Sequence, residues 1–233
     1  MIRWEVEGPY AVVFSTRKGG VSEGPFESLN LGRMTGDVVE RVDENRRRLC
    51  AEVGADVGRL ALNRQHHSAT VHRAVPGSRG VPGDGLWTDA PDEPIAALAA
   101  DCLTIAIARS NGAPALCVLH AGWRGLLEGI VEAGVAAVGS GELAAAIGPG
   151  IGPCCYEVGS EVEEGFRRRY GDGLMNGRNL DLGAGAERAL RAAGCSSVER
   201  ITLCTSCNPE LFFSERRTGR PRGVHGVIGV VTG

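Results

Sequence analysis

The chain has 233 residues, of which 43% are hydrophobic and 23% are charged, and its formal net charge is −3. These values are typical of one large globular domain or two small ones, and a charge so close to zero gives no general attraction to nucleic acid or to an anionic membrane. No apolar run reaches the roughly 18 residues that cross a bilayer, and the N-terminal MIRWEVEGPY has no apolar signal core. We therefore expect a cytoplasmic protein that binds neither membranes nor nucleic acids.

The hydrophobic pattern predicts strands interspersed with helices along the whole chain. In order, it predicts a strand at 10–15, a helix at 37–53, a strand-rich segment at 60–75, an apolar run at 95–108, a strand at 115–119, a helix at 126–138, a strand at 143–147, helices at 161–170 and 179–193, a strand at 198–204, a polar loop at 205–222 and a last strand at 224–230. We find no repeat and no linker, so we expect one domain, 1–233, of the α+β or α/β class.

One stretch, ALCVLHAGWRG at residues 115–125, has the pattern of a ligand-binding turn. An apolar run leads into a glycine-punctuated elbow that contains His120, and a helical pattern follows. Glycines let the backbone approach a ligand, and the free N–H groups at a helix start attract anions. We therefore expect most of the chemistry to converge on His120. A second loop, residues 16–22, combines Arg17 and Lys18 with two glycines, which suits either a phosphate site or a surface turn.

Histidine and cysteine supply the clearest candidates for chemistry. The chain has five histidines and eight cysteines. His67, Cys102 and His120 each lie near a predicted strand end, so two imidazoles and one thiolate form a candidate three-ligand set. Zinc bound by three protein ligands keeps a fourth position for water, whose pKa it lowers to about 7. Strand alternation over residues 65–72 predicts that His67 points away from His66 and His72.

The acidic residue beside Cys102 is unusual because it interrupts an apolar run. Burying a carboxylate costs several kcal/mol unless it is paired, so Asp101 indicates either a break between two elements or a functional site. Cys102 itself suits either a small buried side chain or a reactive one.

The remaining cysteines and histidines argue against two other metal sites. Cys204 and Cys207 form one C-x-x-C pair, and Cys154-Cys155 could supply the second pair that a structural zinc needs. Adjacent cysteines are poor chelators, so the sequence favours two reduced, structural pairs. A multicopper oxidase needs a blue-copper set and a trinuclear cluster bound largely by histidine pairs, and five histidines without a His-x-His do not provide them.

Six segments occur in the order of one bacterial family: TRKGGVSEGPFESLNLG (16–32), Gln65-x-His67, ADCLTI (100–105), HAGWRG (120–125), IGPGIGPCCYEVG (147–159) and CTSCNPELFFSERRTGR (204–220). Over essentially its whole length the chain resembles the bacterial polyphenol oxidase, or laccase-domain, family. The resemblance implies a purine nucleoside phosphorylase with adenosine deaminase and methylthioadenosine phosphorylase side activities, and one branch is described as a peptidoglycan editing factor. It implies an α+β fold, a single-domain mixed sandwich of β-sheets with flanking helices, similar to the cytotoxic-necrotizing-factor cysteine hydrolases.

The resemblance also implies a zinc ion, with copper possible at the same place, held by His67, Cys102 and His120. Cys102 and His120 are then expected to take part in the reaction, and Asp101 to orient a ligand or to serve as an acid or base. Glu157 is a second candidate for that acid or base.

The substrate implied by the resemblance is a small molecule, a purine nucleoside together with phosphate. We expect Arg17 and Arg124 to hold the phosphate and Asn30 to contact the substrate. Three alternatives stay open: Cys102 as a nucleophile with His120 as its base, acting on an amide or a peptidoglycan precursor; a metal-dependent polyphenol oxidase; and a cell-wall or partner-binding protein with a structural zinc.

Overall fold

The computed structural model describes residues 1–233 and contains fourteen β-strands. They are β1 Ile2–Trp4, β2 Tyr10–Phe14, β3 Ala61–Arg64, β4 Val71–Arg73, β5 Arg79–Pro82, β6 Gly85–Thr88, β7 Ile95–Ala99, β8 Leu103–Arg109, β9 Leu116–Ala121, β10 Leu143–Ile147, β11 Met175–Asn176, β12 Asn179–Leu180, β13 Cys195–Arg200 and β14 His225–Val231. Twelve of them form two six-stranded sheets, ordered β1-β2-β14-β7-β3-β5 and β13-β10-β8-β9-β6-β4, and β11 and β12 form a hairpin. Both large sheets contain parallel and antiparallel pairs.

The two sheets pack face to face, and strand alternation explains which side chains fill the interface. Along β8, Ala106 and Ala108 point into the core between the sheets, whereas Ile105 and Ile107 point to the outer face. Because successive side chains of a strand point to opposite faces, a continuous apolar run serves a strand that is covered on both sides. On the inner face of β8 these side chains are small, and larger residues of neighbouring strands, such as Phe14 and Leu116, fill the core beside them.

The structure contains six α-helices, and the first five pack on the outer faces of the sheets. They are α1 Val39–Glu52, α2 Trp123–Glu128, α3 Ile130–Val138, α4 Ser160–Tyr170, α5 Leu182–Ala192 and α6 Glu215–Thr218, with short 3₁₀ turns at Gly24–Phe26 and Val57–Arg59. Leu49 of α1 packs on the first sheet, and residues of α2 to α5, such as Leu126 and Phe166, pack on the second. None of the helices is both long and apolar enough to cross a membrane. The predicted α+β class, with two mixed sheets and flanking helices, is confirmed, and the likeness to cysteine hydrolases stays a prediction.

Two predicted helices differ from the structure for local reasons. The pattern at 126–138 belongs to two helices, because Gly129 adopts a positive φ of 97° and its N–H caps α2 by donating to Gly125 and Leu126 carbonyls. The predicted helix at 179–193 begins three residues later, at Leu182. Asp181 caps it by accepting from the Ala184 N–H at 2.8 Å, which leaves Asn179 and Leu180 to pair in the hairpin.

The segments around the predicted site strands also differ. The strand predicted at 198–204 lies at Cys195–Arg200, where it pairs in parallel with β10. The polar loop at 205–222 contains the short helix α6, capped by Ser214. Strand alternation over 65–72 is wrong, since β3 ends at Arg64 and β4 begins at Val71. The intervening residues form a turn in which His67 has a φ of 67°.

Candidate metal centre

His120 is the second-last residue of β9, at the end of the second sheet, and its side chain is buried. The imidazole Nδ1 lies 2.8 Å from Asp84 Oδ1. Asp84 immediately precedes β6, the strand that pairs with β9 in the register Gly85 to Leu119. This contact holds the ring with Nε2 directed away from the carboxylate, which is how proteins orient a metal-binding histidine.

Asp84 also shapes the turn that carries the second histidine. Its carboxylate accepts hydrogen bonds from the backbone N–H groups of His66 at 3.2 Å, His67 at 3.0 Å and Ser68 at 2.8 Å, and from the Ser68 hydroxyl at 2.8 Å. Burial raises the pKa of the Asp84 carboxyl, but the hydrogen bonds from His120, Ser68 and His66 outweigh burial and lower it. Asp84 is therefore an ionised, fully enclosed carboxylate that fixes both histidines.

Cys102 reaches the same point from β8. The antiparallel register pairs Leu103 with Ala121, so the residue before β8 lies beside the end of β9. The Cys102 Sγ lies 3.8 Å from His67 Nε2, and ligand atoms of His67, Cys102 and His120 all lie within 4.8 Å of one another. The two imidazole rings are 4.9 Å apart, edge to face.

The metal-free pair of Cys102 and His120 is polarised. Burial raises the pKa of the Cys102 thiol, but the effects of His120 and His67 outweigh burial and lower the pKa to about 6. Burial lowers the pKa of His120, while Cys102 and Asp84 raise it to about 9. Both shifts favour a thiolate beside an imidazolium over a neutral pair, and the thiolate is the form of cysteine that binds metals.

Gly122 leaves the space that a metal at this position requires. A Cβ on Gly122 would lie 2.9 Å from His67 Cδ2 and 3.0 Å from Cys102 Sγ, so any larger residue would push the two ligands apart. A thiolate and two imidazoles suit zinc or copper, with bonds of about 2.0–2.3 Å. The donor set, its orientation by Asp84 and the space left by Gly122 all fit such an ion.

The three ligand residues line a cavity of about 530 Å³ that is large enough for a nucleoside-sized molecule. Six arginines also line it: Arg33, Arg46, Arg64, Arg79, Arg220 and Arg222. Burial, followed by the charges of Arg79 and Arg33, lowers the pKa of Arg46 to about 10. Like charges crowded around a cavity favour an anionic ligand.

Three of these arginines have no carboxylate partner, although Arg79 also donates to the Val57 carbonyl at 3.2 Å. Arg33 and Arg222 are paired with Asp43 and Glu215, whereas Arg64, Arg79 and Arg220 form no ion pair with a carboxylate and are exposed along the cavity.

The residues predicted to hold phosphate and substrate lie outside this cavity. Arg17 donates to the Glu27 carbonyl at 2.5 Å and the Pro209 carbonyl at 3.0 Å, and Arg124 stacks over Trp123 at 4.4 Å. Asn30 is buried, with its amide bonded to Thr35, Asp37 and backbone groups. None of Arg17, Asn30 and Arg124 lines the cavity. Asn30 instead fixes the loop that includes Gly32 and Thr35 of the cavity wall.

Asp101 points away from the candidate metal ligands. It has a φ of 90°, and its carboxylate accepts from the Thr205 hydroxyl at 2.6 Å and the Arg216 N–H at 2.7 Å. It therefore holds the turn before Cys102 rather than a histidine, and the orienting carboxylate is Asp84. Glu157 is ion-paired with Arg178 at 2.9 Å.

The sequence signal for Asp84 was an acidic residue between two glycines, Gly83 and Gly85, but only the pairing of β6 with β9 brings it to His120.

Comparison with known proteins identifies the family of this chain. The model of the family described as multi-copper polyphenol oxidoreductase laccase matches residues 11–231. The chain belongs to this family. Of the five histidines in this laccase-family chain, His67 and His120 contribute to the three-ligand set.

Relatives of the laccase-family chain are named as enzymes. It is 35% identical over 227 residues to a purine nucleoside phosphorylase of Pseudomonas aeruginosa, covering 93% of this chain and 92% of that protein. It is 36% identical over 240 residues to the purine nucleoside phosphorylase YlmD of Geobacillus stearothermophilus, covering 88% and 86%. A crystal structure from Neisseria meningitidis superposes with a TM-score of 0.90 at 32% identity, covering 100% of this chain and 99% of the other. The YlmD crystal structure gives 0.88 at 32% identity, covering 97% and 93%.

Proposed function

We propose that this chain is a zinc-dependent purine nucleoside phosphorylase. Its substrates are adenosine, inosine, guanosine and methylthioadenosine, which react with phosphate to give the base and the sugar 1-phosphate, and deamination of adenosine is a side activity. The names of the relatives give the reaction class. The observation that carries the proposal is the cavity that joins His67, Cys102 and His120 to a group of arginines.

Phosphate binds to the unpaired arginines of the cavity. A guanidinium offers two parallel N–H donors to an oxyanion, so Arg64, Arg79 and Arg220 can hold phosphate in a fixed orientation. A phosphate oxygen then forms a bond to C1′ of the sugar as the bond from C1′ to the purine nitrogen breaks, and the purine leaves with a proton. Fixing the nucleophile beside the nucleoside supplies the proximity that this displacement needs.

His67, Cys102 and His120 hold the zinc ion, and Asp84 keeps His120 in the tautomer that presents Nε2. When bound, zinc supplies a Lewis acid at the cavity wall. Gly122 keeps the two ligands His67 and Cys102 close enough to share one ion.

The test is turnover of adenosine by purified protein of known metal content, with and without phosphate, followed by chromatography of the products. The proposal predicts adenine and ribose 1-phosphate only when phosphate is present, and their loss in His120→Ala. Inosine as the sole product would replace the phosphorylase with a deaminase. No turnover of any purine nucleoside would overturn the proposal.

A second candidate is a cysteine hydrolase acting on an amide or a peptidoglycan precursor, and the polarised pair favours it. Cys102, His120 and Asp84 form a chain of nucleophile, base and orienting carboxylate, with the His120–Asp84 hydrogen bond at 2.8 Å. This candidate predicts activity that survives complete metal removal and is lost on alkylation of Cys102. The phosphorylase predicts loss of activity on metal removal and recovery when zinc is restored.

A further inference from the structure

Four cysteines that the sequence analysis treats as two separate pairs lie close together. Cys154 and Cys155 are in the loop after β10, and Cys204 and Cys207 are in the loop after β13, the strand that pairs with β10. Sγ atoms of Cys154 and Cys155 are each 3.4 Å from the Sγ of Cys207, and all four sulfurs, including that of Cys204, lie within 4.8 Å of one another. None of the four is in a disulfide. We propose that Cys154, Cys155, Cys204 and Cys207 bind a second zinc ion, separate from the one proposed at His120.

The sulfur spacing suits a tetrahedral ion. Four sulfurs around zinc, with bonds of about 2.3 Å, lie about 3.8 Å apart, which is within the range seen here. A tetrahedral set of four thiolates selects zinc or iron over harder ions. The adjacency of Cys154 and Cys155 is no obstacle, because the turn they occupy directs both sulfurs to Cys207.

The two cysteine loops are joined to each other without a metal. The Thr205 N–H donates to the Gly150 carbonyl at 3.0 Å, and the Gly152 N–H donates to the Cys204 sulfur at 3.2 Å. The Asn208 side-chain amide donates to the Cys204 carbonyl at 2.8 Å and holds the C-x-x-C turn. The sulfurs are therefore placed by the backbone, so a metal finds a preformed site.

Two successive arginines lie against the cluster, one on each loop. Arg216 donates to the carbonyls of Cys155 and Glu157, each at 3.2 Å through Nη1. Arg217 donates to the carbonyl of Thr205 at 2.7 Å. Zinc with four thiolates carries a net charge of −2, and these two guanidinium groups bring positive charge to the loops that hold it.

The proposed zinc would stabilise the turn that carries Cys102. Thr205, next to Cys204, donates its hydroxyl to Asp101 at 2.6 Å. Ile151, next to Gly152, donates its N–H to the Asp101 carbonyl at 2.8 Å. Both cysteine loops thus hold the residue before Cys102, and an ion that links the loops would stiffen this support.

The test uses full-length protein purified without a metal-chelating tag, with zinc per chain measured by mass spectrometry. The His120→Ala variant removes the first site and is expected to keep one zinc. Adding Cys207→Ser, or Cys154→Ser, to that background is expected to remove the remaining zinc. The matched control is Cys195→Ala, which deletes a buried thiol outside the cluster and is expected to keep it. X-ray absorption at the zinc edge of His120→Ala is expected to show four sulfur ligands, and this measurement needs no cysteine variant to fold.

Several results would overturn the proposal. One is His120→Ala protein that holds no zinc, or zinc retained after Cys207→Ser. A mixed nitrogen and sulfur shell, iron in place of zinc, or six free thiols in the denatured, unreduced chain in place of eight would also overturn it. Because the second zinc is counted in the His120→Ala background, its absence leaves the phosphorylase proposal untouched, and loss of phosphorylase activity leaves this one untouched.

Discussion

His120 and Asp84 are joined twice: the Nδ1 of His120 lies 2.8 Å from Asp84 Oδ1, and the backbone N–H of His120 donates to the Asp84 carbonyl at 2.7 Å. The same carboxylate accepts the backbone N–H groups of His66, His67 and Ser68. One buried side chain therefore sets the position of both candidate imidazole ligands. Asp84 was not among the residues proposed from sequence, and it is the strongest target for testing the metal centre.

Asp84→Asn is expected to lower the affinity for zinc by about 10- to 100-fold, because a histidine loses the partner that fixes its ring and raises its basicity. Competition with a chromophoric chelator measures the affinity. Asp89→Asn, at an exposed carboxylate that pairs with Arg73, is the matched control and should bind zinc as the wild type does. Equal zinc affinity in both variants would remove Asp84 from the centre.

Gly122→Ala tests whether metal binding needs the space that Gly122 leaves beside His67 and Cys102. Its Cβ would approach His67 Cδ2 to 2.9 Å and Cys102 Sγ to 3.0 Å, so zinc occupancy and phosphorolysis should both fall while the fold persists. Gly159→Ala is the control: both glycines precede a helix with nearly the same backbone, φ −84° and −82°. No atom lies within 4 Å of a Cβ at Gly159. Equal zinc content in the two variants would contradict the role given to Gly122.

The cavity arginines give a prediction about phosphate. Replacing Arg64 by Gln should raise the KM for phosphate by about 10-fold or more, because a charge-assisted hydrogen bond is worth about 1.5–3 kcal/mol and each 1.4 kcal/mol is tenfold. Arg124→Gln, outside the cavity on the Trp123 ring, should leave that KM unchanged. Initial rates at varied phosphate measure both. A raised KM for phosphate in Arg124→Gln, with an unchanged KM in Arg64→Gln, would instead support the prediction from sequence that Arg124 holds the phosphate.

The sequence predicted the components of the candidate centre better than their surroundings. His67, Cys102 and His120 each lie where a strand meets a turn, and that local signal, reinforced by the family resemblance, was enough to group them. The sequence does not identify Asp84 as the carboxylate that orients His120, because the two residues become neighbours only when β6 pairs with β9.

Capping and long-range pairing explain most of what the sequence left out. Gly129 and Asp181 set two helix boundaries through local capping hydrogen bonds, which a periodicity pattern does not detect. The two arginines predicted to hold phosphate, Arg17 and Arg124, do not line the cavity. Arg17 lies in a glycine loop that resembles an anion site, but loop carbonyls already use its guanidinium.

His225 predicts a pH dependence of stability that is separate from the metal centre. It is 1% exposed, its ring lies 5.3 Å from that of Phe212, and neither ring nitrogen has a hydrogen-bond partner. Burial lowers its pKa to about 4, a shift that Asp101 opposes and Arg222 reinforces. Between about pH 6.5 and 4 the unfolded chain therefore binds a proton that the folded chain does not, so the free energy of unfolding falls as the pH drops through this window.

At pH 5 this difference amounts to about 2 kcal/mol, since one pKa unit is 1.36 kcal/mol. His225→Leu removes the titrating group at similar volume, so its free energy of unfolding should fall less between pH 7 and pH 5 than that of the wild type. Urea unfolding at the two pH values measures both slopes, and each protein is its own reference, so a change in packing does not affect the comparison. Identical slopes would mean that the folded protein accommodates the protonated ring, and that the buried, unpartnered imidazole carries no penalty for its charge.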